Sequence, residues 1–204
     1  MTDGSLRERK KLATRRALQR AGLRLAVEHG ADHITVEMIC EAAGVSPRTF
    51  FNYFPGKDDA LAGDGPPMPR AEHIRALATA SSGGDLLADI RAVIIATAEE
   101  NDLDHEELLL RKRLLNACPA LLPRHMAQFA RFERALAEAV AERTGTDIEA
   151  DVLPGLMAAV ATAAMRVSFR RWTDGGCVRP LTYYLDESFT VLRERPLSGD
   201  GADT

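Results

Sequence analysis

Residues 35–57, TVEMICEAAGVSPRTFFNYFPGK, contain the pattern that decides the fold. Apolar residues recur at helical spacing on both sides of Gly44, and a glycine supplies the positive backbone angle that a sharp turn between two helices requires. Thr35 is placed to cap the first helix, and Ser46 to cap the second. Pro47 then occupies the first position of the second helix, where its missing N–H costs no hydrogen bond. This stretch therefore predicts a helix-turn-helix motif.

The second helix of the motif is predicted to have one buried and one exposed face. Phe50 and Phe54 are four residues apart, so they lie on the same side of the helix and are expected to face the core. An exposed phenylalanine between arginine and asparagine suits a DNA major groove, where Arg reads guanine, Asn reads adenine and an apolar ring contacts thymine methyl groups. The residues that this spacing directs outward are Pro47, Arg48, Phe51 and Asn52.

Four residues around this outward face carry groups that bind phosphate. Thr35 offers a hydroxyl and the amides of a helix N-terminus, and Thr49 and Tyr53 offer hydroxyl groups. Lys57 offers a positive charge where the next helix begins. Such contacts would position the motif on DNA without reading its sequence.

Charge is unevenly distributed along the chain of 204 residues. Residues 1–57 contain ten Lys or Arg and six Asp or Glu, although the whole chain has a net charge of -4. A basic N-terminal segment attached to an acidic remainder is typical of proteins that bind a polyanion. Charge alone leaves the alternative open that these side chains only solvate a helix face.

Hydrophobic spacing is helical almost throughout, and no alternating β pattern of useful length occurs. The sequence thus predicts an all-α fold of about nine to ten helices. The first helix is expected over residues 6–29, ending before Gly30, and Lys57 begins the fourth. Later helices are expected near residues 71–80, 85–101, 104–117, 120–143, 148–174 and 181–194.

Residues 62–70, AGDGPPMPR, divide the chain, because a segment this rich in Gly and Pro does not stay helical. We therefore predict a three-helix helix-turn-helix DNA-binding domain over residues 1–61 and a helical domain over residues 71–195. Residues 62–70 would be the linker between them. The tail, residues 196–204, is expected to be disordered.

Several classes of protein are excluded by the sequence. The uncharged stretch at residues 152–165 is too short to cross a bilayer as a helix, and the N-terminus lacks the apolar core of a signal peptide. A cytoplasmic protein with no membrane partner is therefore expected. Cys40, Cys118 and Cys177 have no zinc-binding spacing, so we expect neither a metal site nor a cofactor.

Catalysis is not expected either. The chain has no HExxH or GxSxG pattern and no glycine-rich phosphate loop. Cys118 and His125 lie about 10 Å apart along a helix axis, which is too far for a nucleophile and its base. Since no nucleophile, base and orienting group come together, the sequence does not indicate an enzyme.

The run AAGVSPRTFFNYFPGKDDAL, residues 42–61, resembles the N-terminal DNA-binding domain of TetR-family transcriptional regulators. The tight turn, the aromatic-rich second helix and the Tyr-Phe-x-x-Lys ending occur in it together. The resemblance implies a ligand-responsive repressor that binds a palindromic operator in double-stranded DNA as a homodimer. It places Thr35, Thr49, Tyr53 and Lys57 at phosphate contacts and Ser46, Pro47, Arg48, Phe51 and Asn52 at base contacts.

Residues 164–176, AMRVSFRRWTDGG, are similar to an actinobacterial branch of that family with acyl-CoA-like ligand-binding domains. This similarity implies a C-terminal ligand-binding and dimerisation domain and a small lipophilic or acyl-type effector of unknown identity. By analogy with such relatives, the helices over residues 71–143 would enclose a mostly apolar cavity with a few polar groups. Candidate residues for its wall are Arg113, Asn116 and Met126.

The helix predicted over residues 148–174 is apolar on more than one face, and its alanines would let another helix approach closely. Pairing of this helix and the preceding one across a two-fold axis would form the dimer that the resemblance implies. The alternative, that both apolar stripes only hold the monomer together, stays open. The candidate interface residues are Phe129, Phe132, Leu156, Val160, Ala164 and Val167.

One other class of function stays open. A helical protein-interaction module that has lost DNA binding would keep the same fold. The grouping of Arg48, Asn52, Tyr53 and Lys57 around an exposed Phe51 favours DNA binding, because contacts to bases and phosphates account for all five side chains.

Overall fold

The structure is a computed structural model that describes residues 3–81, 83–101 and 104–194. Within these residues it is all-α, which confirms the predicted fold class, and short 3-10 turns at Ala31–His33 and Pro119–Leu121 accompany ten α-helices. The predicted tail, residues 196–204, lies outside the described residues. The helices are α1 (Asp3–His29), α2 (Val36–Ala43), α3 (Pro47–Phe51), α4 (Lys57–Ala62), α5 (Ala71–Thr79), α6 (Leu86–Glu100), α7 (His105–Ala117), α8 (Leu122–Thr144), α9 (Val152–Asp174) and α10 (Leu181–Glu194).

The turn residues of the motif adopt the predicted conformations. Thr35 caps α2 by accepting a hydrogen bond from the backbone N–H of Met38 (3.3 Å), and Ser46 caps α3 by accepting one from that of Thr49 (3.2 Å). Gly44, between the two helices, has a φ of 67°, a left-handed conformation that glycine adopts without a steric penalty. These three positions account for the helix-turn-helix geometry.

We predicted that the long helix α9 begins near residue 148, but it begins at Val152. Asp147 accepts a hydrogen bond from the N–H of Glu149 (2.8 Å), and Asp151 accepts one from the N–H of Leu153 (2.8 Å). Aspartate side chains that bond to nearby backbone groups compete with helical hydrogen bonds. The first aspartate therefore holds a turn, and the second caps the helix.

By length and composition alone, α9 is long and apolar enough to cross a membrane, which the sequence analysis did not anticipate. Core helices of globular proteins pass the same test. Ala158, Ala161 and Met165 of α9 are buried in a helical core. The buried side of α9 thus has protein neighbours, but only 33% of its apolar window is buried, so packing within the described residues accounts for part of its apolar composition.

The described residues form two compact units. Unit 1 contains residues 3–65 and 104–128, which include α1–α4, α7 and the beginning of α8. The described residues of unit 2 are 66–81, 83–101 and 129–194. They include α5, α6, the rest of α8, α9 and α10. Each unit has its own cluster of buried apolar side chains.

Helix α7 packs against α1 and α4 within unit 1, although we predicted that residues 104–117 belong with the C-terminal domain. Arg24 of α1 forms an ion pair with Glu106 (2.8 Å), and Arg20 pairs with Asp104, the residue that caps α7. Opposite charges therefore add to the apolar packing between the two helices. The division of the sequence into two domains stays a prediction.

The core of unit 1 joins the helix-turn-helix to α1, α4 and α7. Phe50 and Phe54 are buried, with 0% and 1% of their surface exposed, and their ring centroids are 5.6 Å apart. Burial of each such side chain stabilises the fold by about 1.5–3 kcal/mol. Other buried apolar residues of this core are Leu18, Leu23, Ile34, Ile39, Cys40, Leu61 and Leu114.

The chain leaves α4 through two glycines, Gly63 and Gly65, whose φ angles are 82° and 75°. A Cβ atom on Gly63 would lie 2.3 Å from Nη1 of Arg111, and one on Gly65 would lie 2.5 Å from Cβ of Gln128. Arg111 is itself buried and donates a hydrogen bond to the carbonyl of Leu61 (2.6 Å). Both glycines are therefore needed for their backbone conformation and for the close approach of a neighbour.

The substitution Gly63→Ala is expected to lower the free energy of unfolding by about 2 kcal/mol or more. Gly63 has a φ of 82° and a ψ of -174°, a region essentially restricted to glycine, where alanine costs about 1–3 kcal/mol, and the added methyl group displaces the hydrogen-bonded guanidinium of Arg111. Urea unfolding followed by circular dichroism measures the change. Gly83→Ala is the control, because its added Cβ meets nothing within 4 Å and should change the free energy by less than about 0.5 kcal/mol. Equal effects of the two substitutions would contradict this account.

Candidate nucleic-acid interface

Helix α3 has the outward face that the sequence predicts. Pro47, Arg48 and Asn52 are exposed, and Phe51 keeps 58% of its surface exposed. The Phe51 ring meets the buried ring of Phe50 edge to face, with centroids 5.5 Å apart, so the exposed ring is held in place. One cationic, one apolar and one amide side chain thus share a surface, which is a combination that reads base edges in a major groove.

Ser46 and Thr49 both take part in capping α3. Their hydroxyl oxygens are 2.9 Å apart, and Ser46 Oγ also accepts the N–H of Thr49. A hydroxyl group has one hydrogen and two lone pairs, so Ser46 keeps capacity for one more partner and Thr49 for two. Base contact by Ser46 and phosphate contact by Thr49 stay predictions.

Thr35 has a neighbour that competes with phosphate at the start of α2. Hydrogen bonds from the backbone N–H of Glu37 and from the Thr35 hydroxyl lower the pKa of the Glu37 carboxyl group. This carboxylate occupies donors that we predicted for a phosphate oxygen. Phosphate contact at Thr35 stays a prediction, and it requires the exposed Glu37 side chain to turn into solvent.

Lys57 is engaged inside unit 1. Its Nζ atom donates hydrogen bonds to the carbonyl oxygens of Ala31 (2.9 Å) and Ile34 (3.0 Å). An ammonium group has three donors, so one N–H remains for a phosphate. Lys57 thus ties the start of α4 to the loop before α2, and Tyr53, which is half-buried, packs against the same core.

Residues 47–54, which comprise α3 and the three residues after it, are called the recognition segment, and Arg15 of α1 supports its end. Its Nη1 atom donates a hydrogen bond to the carbonyl of Tyr53 (2.7 Å), and its guanidinium lies over the Phe54 ring at 4.2 Å from the centroid. Its Nε atom donates to the carboxylate of Asp64 (2.9 Å). The sequence analysis did not assign these contacts, because Arg15 and Asp64 are 49 residues apart and no local spacing relates them.

The first turns of α1 carry exposed positive charge. Arg7, Lys10 and Lys11 are exposed, and no described side chain of α1 before Leu18 is buried. This part of the helix therefore contributes little to the core of unit 1. Its basic residues are available for contacts with a partner of opposite charge.

The three residues predicted to line a ligand pocket, Arg113, Asn116 and Met126, are exposed. Burial gives no support to their place in a pocket wall, which stays a prediction. The buried arginine of α7 is Arg111, which pairs with Glu107 at 2.6 Å. Their spacing of four residues, on the side of α7 that carries Leu114, was the signal available in the sequence.

The predicted dimer residues fall into two groups. Phe132 and Ala164 are buried in the core of unit 2, at 1% and 7% exposure, and Phe129 packs against that core. These side chains have packing partners within a single chain, and their place in a dimer interface stays a prediction. The predicted residues on the accessible side of α9 are Leu156 and Val167, exposed at 53% and 40%, and Val160, which is half-buried.

Glu72, His73 and Glu100 of unit 2 form a cluster whose potential metal-binding atoms lie within 4.8 Å of one another. Arg70 pairs with Glu100 (3.0 Å) and with Glu72 (3.6 Å), and His73 Nε2 is 3.5 Å from Glu100. A guanidinium group on both carboxylates opposes a second cation at the same place. The cluster is therefore best described as an ion-pair network between α5 and α6.

A helix-turn-helix with an exposed, mixed polar and aromatic recognition face defines a class of DNA-binding transcriptional regulators. Comparison with known families agrees with this class. The family model described as bacterial regulatory proteins, tetR family, matches residues 18–62, and the model described as MftR C-terminal domain matches residues 85–196. The chain belongs to the TetR family of transcriptional regulators, which confirms the resemblance in its sequence. Members of this family are regulators and generally not enzymes.

Two named regulators are similar to this chain over most of its length. The HTH-type transcriptional regulator TcmR of Streptomyces glaucescens is 33% identical over 173 residues, which cover 82% of this chain and 76% of TcmR. MftR of Mycobacterium tuberculosis, named for a role in regulating mycofactocin biosynthesis, is 26% identical over 191 residues, which cover 90% of this chain and 91% of MftR.

Solved structures of the same family have a similar fold. FadR of Thermus thermophilus, a TetR-family transcriptional repressor in complex with lauroyl-CoA, has a TM-score of 0.50 and 25% identity, over 93% of this chain and 98% of FadR. SmeT, the repressor of the Stenotrophomonas maltophilia multidrug efflux pump SmeDEF, has a TM-score of 0.51 and 18% identity, over 88% of this chain and 89% of SmeT. At that identity, the SmeT comparison concerns the fold alone.

The substitutions Arg48→Ala and Phe51→Ala are each expected to weaken binding to a duplex selected by the wild-type protein by about 1–3 kcal/mol. The free energy of unfolding should change by less than about 0.5 kcal/mol for Arg48→Ala, because that side chain is exposed. It should fall by about 0.5–1.5 kcal/mol for Phe51→Ala, because the ring contacts Phe50. Fluorescence anisotropy measures the affinity, and urea unfolding measures the stability. Val27→Ala removes an exposed apolar side chain of α1 and should change neither quantity. Wild-type affinity in both variants would show that this face does not read DNA.

Proposed function

We propose that this protein is a dimeric, ligand-responsive repressor that binds a palindromic operator and releases it when a small lipophilic or acyl-type effector binds. The observation that carries the DNA-binding part is the exposed Phe51 between Arg48 and Asn52. An aromatic ring with 58% of its surface in water gains further burial when a partner covers it, and base edges are a partner that also uses the adjacent guanidinium and amide groups.

Electrostatics supports DNA as that partner. The exposed basic residues Arg7, Lys10 and Lys11 lie on α1, and Arg48 lies on the recognition face. Each phosphate neutralised by such a side chain releases counterions, so the affinity falls as salt concentration rises. This term favours any DNA, and the recognition face supplies the preference among sequences.

The dimer is supported by the accessible side of α9. Leu156, Val160 and Val167 recur at helical spacing, and Ala163 between them leaves room for a second helix to approach. A two-fold pairing of this surface would cover its apolar side chains. It would also present two recognition helices to successive major grooves, about 34–36 Å apart, of a palindrome.

The effector class is supported by a relative. FadR of Thermus thermophilus, which is 25% identical to this chain, is described in complex with lauroyl-CoA. In unit 2, a cavity of about 140 Å³ is lined by Leu87, Ala88, Arg91, Phe189, Thr190 and Arg193. Sites for small molecules usually measure about 300–1,000 Å³. An acyl-type effector that entered at this cavity would have to widen it in order to bind.

The first experiment selects genome fragments with the purified full-length protein at physiological salt and sequences the bound DNA. A short palindrome upstream of a promoter is the expected result. Its affinity should fall by about an order of magnitude or more between 50 and 200 mM salt, because several phosphates are contacted. The double variant Arg48→Ala/Phe51→Ala is the matched control and should enrich no such sequence.

Failure of the folded wild-type protein to enrich any sequence would have two explanations. Either a bound small molecule already holds the protein in its released form, or the chain is an interaction module that no longer reads DNA. Repeating the selection after small molecules have been stripped from the protein separates them. Continued failure would reject the proposed function in favour of the interaction module.

The dimer makes its own prediction. Leu156→Glu should convert the protein from dimer to monomer in sedimentation equilibrium, because a carboxylate would be buried without a partner in the interface. It should also remove the preference for a full palindrome over a half-site. Val178→Glu is the control, since Val178 is 85% exposed and lies outside α9. A wild-type protein that is monomeric at micromolar concentration would contradict the proposed interface.

A further inference from the structure

The segment between α4 and unit 2 is held in place on several sides. Gly63 and Gly65 have positive φ angles and leave no room for a side chain. Between them, Asp64 accepts hydrogen bonds from Arg15 and, at 3.0 Å, from Nε2 of Gln19. His125 Nδ1 lies 2.8 Å from the carbonyl oxygen of Ala62. The position of Asp64 is therefore set by the conformation and contacts of the neighbouring backbone as well as by its ion pair.

Arg15 has two further partners besides Asp64. Its Nη1 atom donates to the carbonyl oxygen of Tyr53 (2.7 Å), and its guanidinium lies over the Phe54 ring. The carboxylate of Asp64 receives the Nε and Nη2 hydrogens of the same guanidinium. The planar group thus has one edge on Asp64, one donor on the end of the recognition segment and one face on a core ring.

The charge state of Asp64 agrees with this arrangement. Burial alone would raise the pKa of its carboxyl group, but the hydrogen bonds and charge of Arg15, with smaller contributions from Gln19 and Arg111, lower the pKa below its ordinary value. The carboxylate is therefore ionised at neutral pH and has no tendency to release Arg15 there.

We propose that Asp64 is a positioning residue for DNA recognition that acts through Arg15. By orienting the guanidinium, it fixes the backbone of Tyr53 and Phe54, the end of the segment that carries Arg48, Phe51 and Asn52. It also neutralises Arg15, so that this cation does not bind phosphate indiscriminately. The proposal rests on the DNA-binding function proposed above, and its consequence is that the segment leading to unit 2 sets the ratio of specific to non-specific DNA affinity.

The substitution Asp64→Asn tests both proposed roles of Asp64, which are to orient Arg15 and to neutralise its charge. Without the carboxylate, Arg15 is free to leave Tyr53 and to contact phosphate. Affinity for the selected palindrome should fall about tenfold, as for loss of a hydrogen bond to a charged group, while affinity for random-sequence duplex should stay equal or rise. The slope of log affinity against log salt should steepen by about 0.9 for one additional phosphate contact. A purely destabilising substitution would not steepen that slope.

A double-mutant cycle tests whether Asp64 acts through Arg15. Arg15→Gln should also weaken specific binding, and Arg15→Gln/Asp64→Asn should be no weaker than Arg15→Gln alone. Glu106→Gln is the matched control, because it removes one carboxylate of unit 1 that pairs with Arg24 instead. This control should leave the ratio of specific to non-specific affinity unchanged. An additive cycle would overturn the proposal.

Amide hydrogen exchange supplies a measurement that needs no DNA. The N–H groups of Tyr53 and Phe54 both donate to the carbonyl of Phe50, at 2.9 and 3.0 Å. In the full-length Asp64→Asn protein these two amides should exchange faster, while amides of α2 keep their wild-type rates. Unchanged exchange at both amides would overturn the proposal. The two experiments separate the two proposals. If the wild-type protein selects no DNA, the proposed function is rejected. If the Asp64→Asn protein nevertheless shows faster exchange at these two amides, the structural contact through Arg15 is upheld.

Discussion

The burial of Phe50 and Phe54 is the interaction on which the rest of unit 1 depends. Both rings lie on one side of the recognition segment, and their removal from water fixes the rotation of α3 about its axis. Arg48, Phe51 and Asn52 face outward as a direct result. The composition of the recognition surface is therefore set by which side chains of the same segment are buried in the core.

Cations inside unit 1 have structural partners that a count of charges does not reveal. Lys57 holds two backbone carbonyls, Arg15 holds the carbonyl of Tyr53, and Arg111 holds that of Leu61. In each case a charged donor satisfies backbone oxygens where a helix begins or ends, which stabilises the junction more than a neutral hydrogen bond would. The positive charge left for DNA is therefore smaller than the sequence suggests, and it is concentrated on exposed residues such as Arg48 and those early in α1.

Local features of this chain were predictable because they depend on neighbours in sequence. The caps at Thr35 and Ser46, the left-handed Gly44 and the exposure of Phe51 each follow from residues a few positions away. Contacts between residues that are distant in sequence could not be predicted in this way. Arg15 meets Asp64 across 49 residues, and the phenylalanine at 132 is buried within one chain although its helical stripe suits an interface equally well. Periodicity identifies an apolar face but not the surface that covers it.

The small cavity in unit 2 constrains how an effector that enters there would act. Bound ligand shifts an equilibrium only by its difference in affinity for the two forms. If the form with a cavity of about 140 Å³ is the one that binds operator, the effector must bind a more open form whose population is low in its absence. Its apparent affinity is then reduced by that fraction, and operator binding reduces it further by the same coupling that releases the DNA. Under the proposed function, packing in unit 2 would therefore contribute to the effector concentration at which the DNA is released, and substitutions that loosen that core would lower the threshold without touching the recognition face.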